Sequence, residues 1–188
     1  MRKITIVLFD AGGGHRNAAE ALRSTLEAQH AWQVTLLNIQ ELLDPLDVVQ
    51  KVSGVRLQDA YNLVLRRGWT RFSPQMLRLL QGLIRVCHRR TVKLLQEYWR
   101  KQPADLVWSV IPHFNRALAE SLRKSLPDAA FVTLLTDFAD YPPHFWMERE
   151  SEYLICGTEC AVQQALAMGH LPEKIFHASG MVMKPKFY

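Results

Sequence analysis

Apolar and polar positions alternate between two periods along this chain, and the switches mark its elements. Ile4 to Phe9 is a continuous apolar run of strand length, the pattern of a parallel strand buried on both faces. Ala18, Ala19, Leu22, Leu26 and Ala28 then recur at helical spacing, which predicts a helix over Asn17 to Ala28. Gln33 to Ile39 reads as a second strand, and Leu42 to Val49, broken by Asp44-Pro45, as a loop or short helix. Gln58 to Gln102 returns to helical spacing with a break around Gly68 to Pro74, predicting two amphipathic helices. Strands are expected over Ala104 to Ile111, Ala130 to Leu135, Tyr153 to Cys156 and Lys174 to Ala178. Helices are expected over Arg116 to Leu126, closed by Pro127, and Glu159 to Met168, capped by Gly169. Strands alternating with helices imply an α/β fold, a mostly parallel sheet covered on both faces.

Composition adds bounds. With 188 residues, 48% of them hydrophobic, the chain is long enough for one well-buried core, so a single domain over residues 1–188 is expected. No apolar run reaches the ~18 residues that span a bilayer, and the N-terminus enters a strand directly, so a cytoplasmic chain without a signal peptide is expected. Cys87, Cys156 and Cys160 form no disulfide framework. Cys156 and Cys160 are spaced like a metal pair but lack a partnering His cluster, and read as buried structural thiols, so no metal site is predicted.

Charge is unevenly distributed. Between Lys51 and Lys101 stand twelve basic residues and two acids, a local charge of +10, while the remainder has eleven basic and sixteen acidic residues and carries −5. The region about 51–102 is therefore a basic helical insertion in a mildly acidic body. Its arginines, Arg66, Arg67, Arg71, Arg78, Arg89 and Arg90, are interleaved with Trp69 and apolar residues. That pattern suits an anionic membrane surface, or a helix whose apolar face packs on the sheet and whose arginines are solvated; no nucleic-acid recognition motif accompanies the charge.

Candidate chemistry clusters at predicted strand ends. Gly12, Gly13 and Gly14 lie between the first strand and the first helix, followed by His15 and Arg16. Glycines let the backbone turn sharply and approach a ligand, and a helix start presents free N–H groups and partial positive charge. The spacing is not Gly-x-Gly-x-x-Gly, which argues against an ordinary dinucleotide fold, and there is no Walker lysine or nucleophilic Ser elbow. Thr136 and Asp137 follow the fourth strand at the same sheet edge, where Asp137 is either a turn carboxylate or a partner for His15 acting as a base. His113 follows the third strand, and Asp140 to Trp146 form an aromatic loop stiffened by Pro142 and Pro143.

These residues carry a resemblance. Phe9-Asp10-Ala11-Gly12-Gly13-Gly14-His15-Arg16-Asn17-Ala18-Ala19-Glu20-Ala21 is similar to the signature that opens the monogalactosyldiacylglycerol synthases and the bacterial processive diacylglycerol glucosyltransferases. Thr136-Asp137 and the stretch from Tyr153 through Gly157-Thr158-Glu159, Gly169 and Pro172 to Gly180 and Phe187 extend the likeness in order along nearly the whole chain. It implies the N-terminal, acceptor-side Rossmann-like half of a GT-B glycosyltransferase. It further implies His15 as base toward a diacylglycerol hydroxyl, on a loop of Gly12, Gly13, Gly14 and Arg16 that faces the interdomain cleft; by their positions at the same sheet edge, Asp137 is the catalytic candidate beside it and Trp146 an acceptor-loop candidate. Arg66, Arg67, Trp69, Arg71, Arg78, Arg89 and Arg90 would meet anionic lipid at a peripheral membrane site. The family has Thr or Ser where Ala11 stands, and the loop after Thr136-Asp137 departs from its His-x-x-Trp pattern. A UDP-sugar donor is implied for the full enzyme, bound by a second domain in cis or in trans and by no part of this chain, which taken alone is expected to be inactive. The alternative is a non-enzymatic lipid- or anion-binding module with the same fold.

Overall fold

The computed structural model describes residues 1–10, 14–44, 73–141, 144–149, 153–180 and 182–183. Six strands form one sheet in the order β2-β1-β3-β4-β5-β6, and every neighbouring pair is parallel. The strands are β1 (Lys3–Leu8), β2 (Gln33–Asn38), β3 (Leu106–Ser109), β4 (Ala130–Leu134), β5 (Tyr153–Cys156) and β6 (Ile175–His177). The helices are α1 (Gly14–Gln29), α2 (Ile39–Leu43), α3 (Ser73–Lys101), α4 (Asn115–Ser125) and α5 (Glu159–Ala167), with a 3-10 turn at Pro172–Lys174. The arrangement is Rossmann-like, and the expected mostly parallel sheet is parallel throughout the described residues.

The sheet order explains the apolar runs. β1 lies between β2 and β3, and Ile4, Thr5, Ile6, Val7 and Leu8 are all buried. β2 is an edge strand, so Gln33 and Thr35 stay exposed while Leu37 is buried. Chain order runs outward from β1 to β2, then returns across β1 to β3. Direction therefore reverses between β1 and β3, and the carboxyl ends of these strands flank the crevice where open α/β sheets take ligands.

Several predicted boundaries shift for local reasons. α1 starts at Gly14, three residues before the expected Asn17, so His15 and Arg16 belong to its first turn rather than to the preceding loop. The short helix α2 precedes its expected position because the Asn38 side chain accepts the Gln40 N–H at 3.3 Å and caps it. β3 ends at Ser109, whose hydroxyl reaches Asn115 Oδ1 at 2.6 Å and turns the chain before Pro112. α5 ends at its expected cap, Gly169, which has a φ of 91°. Of the two predicted basic helices, the second is the continuous 29-residue α3, with Pro74 tolerated in its first turn; the first lies outside the described residues.

α3 is tied to the body along one stripe. Thr91, Val92, Leu95 and Trp99 are buried, and the Trp99 indole donates to Ser121 Oγ on α4 at 2.9 Å. The opposite stripe, Arg78, Arg85, Val86, Arg89, Arg90, Lys93 and Arg100, is exposed. Cys156 is buried and burial pushes its thiol up to about 11, whereas Cys160 is exposed, so only one of the pair is the buried thiol expected.

Candidate functional site

Three strand ends bring together residues that are remote in sequence. His15, in the first turn after β1, places Nδ1 3.3 Å from Thr136 Oγ1 beyond β4, a pairing across 121 positions. Asp137 follows Thr136, and its Oδ2 accepts the Trp146 indole N–H at 2.7 Å. Trp146 is fully buried, and its ring centroid lies 5.9 Å from that of His15. Val110, just past β3, contributes a backbone hydrogen bond to the His15 ring. The sheet topology thus assembles His15, Thr136 and Asp137 at its carboxyl edge, beside the point where strand order reverses.

Burial sets the charge state of the imidazole. Desolvation lowers the His15 pKa below the ordinary histidine value, opposed by the negative charge of Asp137 and by the bond with the Val110 backbone. A neutral imidazole at neutral pH keeps one nitrogen able to accept a proton, and a carboxylate nearby stabilises the imidazolium that would follow. Among the described residues no group of three His, Cys, Asp or Glu side chains is placed to hold a metal ion.

His113 is the second histidine of this edge. It is the one described residue other than glycine with a positive φ, 72°, a conformation that costs about 1–3 kcal/mol and persists where the surroundings impose it. Its N–H donates to Phe145 O at 2.7 Å, and its ring stacks on Phe145 with centroids 4.5 Å apart. Burial lowers its pKa to about 4; Asp140 opposes that shift and the nearby His15 adds to it. Its Nδ1 is buried without a hydrogen-bond partner.

Other predicted site residues separate into groups. Arg16 is exposed and pairs with Asp10, from opposite sides of the Gly-rich segment in the sequence. At Gly14, the first residue of α1, an added Cβ would meet no atom within 4 Å, so the space beside it is open. Gly12, Gly13, Arg66, Arg67, Trp69 and Arg71 lie outside the described residues. Arg78, Arg89 and Arg90 are exposed on α3, apart from the histidines, although Gln81 Nε2 donates to His144 O at 3.0 Å and so joins α3 to the loop that carries Trp146. Trp146 stands behind the site rather than on its surface, holding Asp137 instead of facing solvent.

Residues that the sequence pattern left unmarked form the support. Buried Asn115 donates through Nδ2 to Ile111 O at 3.1 Å and to Trp146 O at 2.9 Å, bridging β3 to the aromatic loop. Asp140, 1% exposed, accepts the backbone N–H groups of Phe145, Trp146 and Met147. Asn115 opens α4 and Asp140 opens the aromatic loop, and a short polar residue at the start of a segment is the one local signal either position carries.

No family model matches the chain. It is 25% identical, over an alignment of 198 positions covering 99% of its length, to a "Probable monogalactosyldiacylglycerol synthase, chloroplastic" of Nicotiana tabacum, and spans 35% of that relative. That distant likeness, together with the Rossmann-like sheet, supports a glycosyltransferase relationship for this chain.

Proposed function

We propose that this chain is the acceptor-side domain of a UDP-sugar-dependent glycosyltransferase that transfers a hexose to the hydroxyl of a diacylglycerol-type lipid. The observation that carries the reading is the meeting of His15 with Thr136 and Asp137 at the sheet's carboxyl edge, from segments 121 residues apart. The similarity to a plant galactolipid synthase supports the choice of lipid acceptor and hexose donor.

In this reading neutral His15 accepts the proton of the acceptor hydroxyl as that oxygen attacks the anomeric carbon, and the UDP leaving group departs from the opposite face with inversion. Asp137, held by the Trp146 indole, stabilises the imidazolium as it forms. The donor is bound by a second Rossmann-like domain, in cis or in trans, and the 188 residues by themselves bind acceptor without turning it over. The choice between galactose and glucose then belongs to the donor half.

The exposed cationic stripe of α3 supports a peripheral membrane role for the same domain. Each basic residue near an anionic surface contributes about 1 kcal/mol of attraction, and Arg78, Arg85, Arg89 and Lys93 lie along one face. Among the described residues no helix is long and apolar enough to cross a membrane. Gln81 joins α3 to the site's aromatic loop, an arrangement that would bring the His15 site toward lipid held at the membrane surface.

The deciding experiment joins this chain to a sugar-nucleotide domain and measures transfer from UDP-galactose and UDP-glucose to diacylglycerol in anionic vesicles. Transfer that disappears with His15→Ala supports the reading. Transfer that survives the substitution sinks His15 as the base. Vesicle binding with no transfer alongside any donor domain favours the lipid-binding module instead.

A further inference from the structure

Asp140 is a buried carboxylate with an unusual set of neighbours. Oδ1 accepts the N–H groups of Phe145 at 2.9 Å and Trp146 at 3.1 Å, and Oδ2 accepts that of Met147 at 3.1 Å. Its own N–H donates to Gln164 Oε1 on α5 at 2.8 Å, and its carbonyl accepts from Gln164 Nε2 at 3.4 Å and from the His144 ring. Three successive backbone donors converge on one charged side chain, and hydrogen bonds to an ionised acceptor are roughly twice as strong as neutral ones. The loop is therefore folded around Asp140, which is itself fixed to α5.

What that loop delivers is position. Trp146 lies in the middle of the three bonded residues; its indole N–H fixes Asp137, and its ring packs against His15 with centroids 5.9 Å apart. Phe145, the first of the three, holds His113 by its carbonyl and by ring stacking. One carboxylate thus sets both the indole that holds the carboxylate beside His15 and the aromatic ring packed behind the imidazole. We propose that Asp140 is a positioning residue for the His15 site, acting through Trp146 and Asp137; this rests on the reading of His15 and Asp137 as the working pair.

The test uses the 188-residue chain in solution, with the His15 imidazole and the Trp146 indole N–H followed by NMR. The charged and titratable groups about His15 are Asp137 after β4, His113 after β3 and the Asp10–Arg16 pair on its own turn. In Asp140→Asn the Phe145–Met147 turn loosens. The indole N–H then exchanges at least about tenfold faster as its bond to Asp137 is lost. His15, whose largest perturbation is burial, titrates closer to the ordinary histidine value.

Trp146→Phe separates the two effects, because it keeps a ring over His15 but releases Asp137. Its expected result is the opposite shift, a His15 midpoint lower than in the unsubstituted chain. A change in melting temperature with both resonances unmoved in Asp140→Asn would make Asp140 a structural residue only and overturn the proposal. If Asp140→Asn does not fold, an unshifted His15 in Trp146→Phe overturns it by breaking the path. None of these readouts needs lipid or sugar nucleotide. Failure of the glycosyltransferase reading, seen as transfer surviving His15→Ala, is thereby kept separate.

Discussion

The carboxyl edge of the sheet and the outer face of α3 use basic side chains in opposite ways. At the sheet edge His15 and His113 are desolvated, their pKa values lowered, and their rings kept neutral in the midst of Asp137 and Asp140. On α3 the arginines are exposed, and a guanidinium in water is always charged. Burial turns a titratable base into a proton acceptor; exposure turns a permanent cation into a long-range attractor. The difference teaches that the exposed cationic face of α3 and the desolvated histidines are distinct environments, joined in the described residues through Gln81 and the carbonyl of His144.

The strongest way to break that separation is His15→Ala. With a donor domain attached, transfer is expected to fall by about 10²–10⁴-fold, the usual contribution of a general base, while binding to anionic vesicles is unchanged. A parallel loss of vesicle binding would show that the two regions are one device. The converse substitution, Arg78, Arg85 and Arg89 all to Gln, removes about 3 kcal/mol of attraction at about 1 kcal/mol per charge, roughly a hundredfold in vesicle partitioning at low salt. The His15 titration should not move. Raising the salt concentration should weaken vesicle binding by the unsubstituted chain in the same direction, because the Debye length at physiological ionic strength is only about 8 Å.

Acid exposes the difference in a third way. His113 has a folded pKa of about 4 against about 6.5 for an unfolded histidine, so between those values the unfolded chain binds a proton that the folded chain refuses. Stability from this group is complete above pH 6.5 and is lost as pH falls through 4. His113→Asn, whose short side chain tolerates the positive φ, should flatten that part of the stability–pH curve in urea titrations. An unchanged slope would mean that the ring is not desolvated.

The smallest expected effect belongs to the α3–α4 surface. Glu120 accepts hydrogen bonds from Lys124 at 2.6 Å and pairs with His88 at 2.7 Å, and these partners hold its carboxyl down to about 2. A depressed carboxylate stabilises above its unfolded pKa and loses that contribution as pH falls from about 4.5 to 2. Glu120→Gln should therefore cost no more than about 1 kcal/mol at neutral pH, less in high salt, and nothing at pH 2. A larger cost would mean that the cluster holds α3 against α4 as firmly as buried Trp99 and Ser121 do.

Much of this fold was legible because strands buried on both faces must be apolar throughout and helices on a sheet must be apolar on one side. β1, β4 and β5 stand within a residue or so of their apolar runs, and α5 ends where Gly169 supplies the positive φ that closes it. Boundaries set by side-chain bonding were not legible in that way. Asn38 starts α2 early and Ser109 ends β3 early, through partners that periodicity does not encode. In the site, glycines before a histidine and Thr-Asp after a strand marked two strand ends. Trp146 is an acceptor-loop candidate by sequence, and an aromatic between prolines and charges carries no sign that its indole turns inward to Asp137.

By itself the sequence determined the α/β alternation, the segregation of positive charge and the candidacy of His15 and Asp137, all of which depend on residue order and local chemistry. Only the tertiary structure decided that strand order reverses between β1 and β3, that Thr136 meets His15, and that a buried carboxylate at position 140 gathers the backbone of the loop that carries Trp146. Those outcomes follow from parallel pairing and burial between segments far apart in the chain, where the energy lies in contacts that no local window contains.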